Sequence, residues 1–148
     1  MESEGGVDRR PAQLARDRAH TEIVTAVQAE PAVLAAYLFG SVARGTASPL
    51  SDLDVALLLR EPSGAEVVGR VTDALCRRLR TDGVDVVSLR EAPVPLRYRV
   101  VREGTLVFCR DLAARERFTA ETVLEYLDFR PLRDRALSLV RGAILGSR

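Results

Sequence analysis

Apolar and polar positions along the chain follow two rhythms. Val33 to Phe39 is an almost unbroken apolar run that stops at Gly40-Ser41, and Leu53 to Leu59 is a second. Runs of this length, bounded by turn residues, predict strands covered on both faces. Val84 to Leu89, entered through Thr81-Asp82-Gly83, predicts a third strand, and Thr105 to Cys109 a short fourth. Between Glu66 and Arg80 the rhythm changes, and Val67, Val71, Leu75 and Leu79 recur at helical spacing. Pro11, suited to a first helical turn, opens a predicted helix to about Glu30, with a broken stripe of Leu14, Ile23, Val24 and Val27. Pro95 to Glu103 predicts a helix stopped by Gly104. Two helices are expected at the end, Ala113 to Asp128 and, beyond Pro131, Leu132 to Leu145. A short turn or helix carries Ser41 to Gly45, and Thr46 to Ser51 form a polar loop containing Pro49.

Strands alternating with helices predict an α/β chain whose successive elements pack on one sheet. That order brings Gly40-Ser41, Asp52, Asp54 and Asp85 to neighbouring strands or their ends. With 148 residues the expected organisation is a polar tail over 1–10 and one domain over 11–148, including the C-terminal helices from about 113.

Composition narrows the chemistry more than the fold. The net charge of +1 gives little field for holding a long polyanion, so long nucleic acid is not an expected partner. No apolar run reaches the ~20 residues of a membrane helix, and the polar start MESEGGVDRR has no apolar signal core. A cytoplasmic location, with no membrane partner, is expected. Every basic residue other than His20 is arginine, which excludes lysine nucleophiles and leaves phosphate to arginine, backbone or metal. A single histidine excludes histidine triads and multi-histidine zinc sites. Cys76 and Cys109 lack CxxC spacing and read as free buried thiols.

Asp52 and Asp54 stand at the head of an otherwise apolar strand, where residues two apart project from one face. Two adjacent carboxylates repel and lose solvation unless a cation compensates, and magnesium suits an oxygen-only set completed by phosphate and water. A plainer reading makes Asp52 a turn cap and Asp54 a solvated strand end. Asp85, a lone acid in the apolar strand Val84-Asp85-Val86-Val87, favours the metal. Upstream, Gly40 at a strand end allows a phosphate to approach the backbone, and the following amides with the Ser41 hydroxyl can donate to it. Arg44, one turn on, can steady phosphates or pin the loop through a carboxylate.

Gly40-Ser41, ten residues, then Asp52-Leu53-Asp54 is similar to the GS(x10)DxD signature of the DNA polymerase beta-like nucleotidyltransferase superfamily. The text GSVARGTASPLSDLD resembles the GSxARGxxxxxSDxD form of its minimal, single-domain members, and Asp85 matches the third family carboxylate. The stretch APVPLRYRVVREGTLVFCRD, with ARERF and EYLDFRPL, looks like the MntA-type antitoxin subfamily that pairs with HEPN-domain toxins. Ser88 departs from the pattern, where many relatives carry an acid. The resemblance implies the nucleotidyltransferase fold, a small mixed sheet flanked by helices, with C-terminal helices. It implies transfer of AMP from ATP to a hydroxyl of a cognate HEPN toxin, a tyrosine, in a hetero-oligomer. It further implies two magnesium ions held by Asp52, Asp54 and Asp85, with Asp85 also accepting the hydroxyl proton. Gly40, Ser41, Arg44 and Ser51 would bind the nucleotide. Two alternatives stay open: an antitoxin that neutralises by stoichiometric binding, and a small-molecule transferase of the aminoglycoside-modifying type.

Overall fold

The computed structural model describes residues 10–46, 52–61 and 64–145. Helix α1 (Arg10–Gln28) leads into strand β1 (Val33–Phe39), the short helix α2 (Gly40–Arg44) and strand β2 (Leu53–Leu59). Helix α3 (Ala65–Leu79), strand β3 (Val84–Ser88), helix α4 (Val94–Glu103), strand β4 (Thr105–Cys109) and helix α5 (Leu112–Leu145) follow. The four strands form one mixed sheet in the order β3-β2-β1-β4, with β2 and β3 parallel and the other pairs antiparallel.

The strand runs are apolar on both faces because both faces are covered. Along β2, Leu53, Val55, Leu57 and Leu59 pack with Ile23 and Val27 of α1 and Val67, Val71 and Leu75 of α3. Ala56 and Leu58 turn the other way, joining Tyr37, Leu89, Val100 of α4 and Phe118 of α5. The result is a three-layer α/β domain, as predicted, with α1 and α3 on one face and α4 and α5 on the other. Arg110 fastens one edge: its guanidinium donates to Val33 O at 3.0 Å and to the Val27, Gln28 and Glu30 carbonyls, tying the end of α1 and the turn after it to the sheet. No sequence pattern had marked it.

Three expectations are corrected. The two C-terminal helices are one, and α5 runs through Pro131. Proline removes one backbone donor, and at an exposed position water can take the carbonyl it leaves, so the helix continues. Asp52 precedes β2 instead of lying within it. Cys109 is free but exposed at the end of the edge strand β4, and Cys76 is only half-buried. The residues read as an N-terminal tail and as the loop with Pro49 and Ser51 lie, apart from Arg10 and Thr46, outside the described residues. Core packing accounts for much of the C-terminal aromatic content: Phe118 is buried, and the Tyr98 and Tyr126 rings stack at 3.7 Å between α4 and α5. Among the described residues no helix is long and apolar enough to cross a membrane.

Candidate active site

Asp54 is the centre of the arrangement. Its neighbours Leu53 and Val55 point into the α1 and α3 layer, so strand alternation puts Asp54 on the α4 side of the sheet. Phe39 of β1 is its partner on one side and Asp85 of β3 on the other. Val86 also packs towards α1 and α3, and Asp85 therefore shares Asp54's face. Asp52 lies one step before β2, against the turn into β3: Leu53 N–H donates to Gly83 O at 2.8 Å, and a Cβ added at Gly83 would sit 3.0 Å from Asp52 Oδ1.

The three acids are neighbours but are not buried together. Asp52 and Asp85 are exposed and only Asp54 is half-buried, because all three stand where the apolar cover of the strands ends. That corrects the expectation of three buried acids. Among the described residues no three acidic, histidine or cysteine side chains close around a point as a metal cage would. Asp54 nevertheless feels the other two. Its pKa is raised above the ordinary carboxylate value, first by burial, then by the negative charges of Asp85 and Asp52, with Arg44 opposing.

Gly40 explains how a carboxylate fits so close to the end of β1. Its φ is +76°, and a Cβ at this position would overlap Asp54 Oδ2. Glycine is required twice over, by the left-handed backbone and by contact with Asp54. From there Ser41, Ala43 and Arg44 line a cleft of about 330 Å³ that Asp54 floors. The opposite wall is α4, which contributes Arg99 and Glu103, with Gly104 just beyond its end. Neither Arg44 nor Arg99 forms an ion pair with another described residue; the cleft holds half-buried Asp54, which feels the charge of Arg44, and exposed Glu103 between the two guanidinium groups.

The sequence-predicted residues Gly40, Ser41, Arg44 and Asp54 thus meet in one cleft, with Asp85 adjoining Asp54 across the sheet and Asp52 at its head. Ser51 lies outside the described residues. Arg99 and Glu103 were missed as site residues. Their i, i+4 spacing around the buried Val100 puts them on one side of α4, but only the docking of α4 over the sheet turns that side towards Gly40.

The polymerase beta nucleotidyltransferase family profile matches residues 21–113, a span containing every element of the cleft. No curated protein matches the chain in sequence. A chain in the crystal structure of a toxin–antitoxin with AMP-PNP is 27% identical with a TM-score of 0.72, the match covering 82% of this chain and 98% of that one. A protein described as a minimal nucleotidyltransferase is 31% identical with a TM-score of 0.51, over 68% of this chain and 96% of its own. The complex of tri-AMPylated Shewanella oneidensis HEPN toxin with MNT antitoxin is alike in fold, at 24% identity and a TM-score of 0.67, over 85% of this chain and 98% of that one. The glycine turn against Asp54, the paired Asp54 and Asp85 and a family match over more than half its length place this chain in the polymerase beta nucleotidyltransferase family.

Proposed function

We propose that the protein is an antitoxin-type adenylyltransferase that moves AMP from ATP to a tyrosine hydroxyl of a cognate HEPN ribonuclease toxin and so silences it. The observation that carries this reading is the cleft in which Asp54 lies against Gly40 between Arg44 and Arg99, in a chain akin to one crystallised in a toxin–antitoxin with AMP-PNP. The donor set suits magnesium. It is all oxygen, its carboxylates are neighbours without being a closed cage, and the Asp54 pKa is raised first by burial and then by the charges of Asp85 and Asp52, which a cation would offset. Asp52, Asp54 and Asp85 would hold the two ions together with phosphate oxygens, and bound magnesium supplies neutralisation of the charge that builds at the α-phosphorus.

The chain's own groups do the rest. Gly40 and Ser41 receive the terminal phosphates, and Arg44 and Arg99 approach them from opposite walls. Asp85, exposed beside Asp54, takes the phenolic proton as the tyrosyl oxygen bonds to the α-phosphorus. The bond from that phosphorus to the β-phosphate oxygen breaks, and pyrophosphate leaves. The test is mass spectrometry of the toxin after incubation with ATP, magnesium and substoichiometric amounts of this chain. Every toxin molecule is expected to gain the mass of AMP; neutralisation only at one to one, with no added mass, refutes catalysis.

Arg99 gives a second measurement. Losing one charge-assisted contact of about 1.5–3 kcal/mol weakens binding roughly 10- to 100-fold. Arg99→Ala is therefore expected to weaken ATP binding by that factor in calorimetry while leaving AMP, which lacks the outer phosphates, nearly unaffected. Equal losses for both nucleotides would remove Arg99 from the phosphate site.

A further inference from the structure

Beyond Asp85 the sheet ends. β3 pairs only with β2 among the described residues, and its other edge is open. Gly83 O and Leu89 N–H both bond towards β2. By alternation the backbone N–H and C=O of Val86 point off the sheet, one residue past Asp85. This edge is the floor of a cleft of about 500 Å³, walled by Ala65 and Val68 of α3 on one face and by Leu96 of α4 and the preceding Pro93 on the other.

Gly69 leaves part of that cleft vacant. It sits inside α3, where glycine is the poorest helix former after proline. The usual reason for such a glycine is close packing, yet a Cβ here would meet nothing within 4 Å. Gly69 lines the cleft from an exposed position, so a larger side chain there would extend into the groove without clashing with the fold.

We infer that the open edge of β3 and this groove receive the polypeptide that carries the acceptor hydroxyl, as an extended segment pairing with Val86 and laying apolar side chains beside Val68 and Leu96. The inference rests on the transfer reading above and follows from the order of the site across the sheet. Phosphates held at Gly40 and Ser41 lie at the end of β1, Asp54 is next on β2, and Asp85 is last on β3. In-line displacement brings the acceptor from the side opposite the departing pyrophosphate. That side is β3, and the groove begins one residue from Asp85. Unpaired strand backbone supplies affinity for an extended chain, and the apolar walls supply choice of side chain.

Gly69→Phe tests it by filling the groove, with Gly69→Ala as the control. Both replace a helix-breaking residue at an open position, so neither is expected to lower the melting temperature or ATP affinity. With the cognate toxin as probe, Gly69→Phe is expected to weaken toxin binding and raise the KM for toxin at least about tenfold, the scale of losing one well-packed contact, while Gly69→Ala matches wild type. Equal KM and equal toxin binding for Gly69→Phe and wild type overturn the groove and leave the transfer reading standing. If wild type binds toxin, Gly69→Phe does not, and neither transfers AMP, the groove is a toxin-binding surface, and the transfer reading falls together with the acceptor role given to the groove.

Discussion

Asp54→Asn is expected to abolish nucleotidyl transfer and, in the absence of metal, to raise the melting temperature. Asp54 is the acid that both the glycine turn and the acidic neighbours converge on. On the proposed reading Asp54 is a metal ligand, whose loss removes several kcal/mol of transition-state charge stabilisation; about 1.4 kcal/mol is a factor of ten, so a loss of at least about a thousandfold is expected. Stability moves the other way because burial and the charges of Asp85 and Asp52 make ionised Asp54 unfavourable in the folded chain. The sign of the pH dependence follows. With the folded pKa raised, the penalty is absent below the unfolded carboxylate value of about 3.9 and grows as pH rises through the folded value. Melting curves with chelator are therefore expected to show Asp54→Asn above wild type at neutral pH, the gap closing as pH falls towards about 4. A variant that is inactive and also less stable at neutral pH would make Asp54 a structural residue instead.

Gly40→Ala is expected to cost both stability and transfer. A left-handed φ costs a non-glycine residue about 1–2 kcal/mol, and the new Cβ would in addition displace the Asp54 carboxylate. Misplacing a reacting group by about 1 Å costs on the order of a hundredfold in rate, the loss expected here. Gly45 supplies the comparison. Its φ is +72°, yet a Cβ there meets nothing within 4 Å. Gly45→Ala should lower the melting temperature by less, since it carries the left-handed cost alone, and leave transfer within a few-fold of wild type. If the two variants lose transfer equally, the contact between residue 40 and Asp54 has no catalytic meaning.

Much of this protein was legible from local pattern. The bounds of β1, β2 and β4 match their apolar runs, and α3 follows its stripe of Val67, Val71 and Leu75, because burial on a strand or a helix face leaves a period that needs no knowledge of the partner. The glycine turn and the acids were also legible, since their spacing is set by one strand-to-strand connection. Errors came where a local rule met a tertiary setting. Pro131 reads as a helix stop, but an exposed helix can lose one hydrogen bond to water and continue. The acids read as buried because their neighbours are apolar, but burial depends on where the covering helices end.

What the chain determined by itself is therefore the four strands, the helices as far as α4, and the chemical identity of the acids and the glycine turn, all properties of a few consecutive residues. Tertiary structure alone decided that β4 lies beside β1 and leaves β3 open, that α4 swings Arg99 and Glu103 over Gly40, and that Arg110 reaches back to the end of α1. These are contacts between residues some 60 to 80 positions apart. Their partners are chosen by the packing of whole layers, for which no short stretch of sequence carries a period.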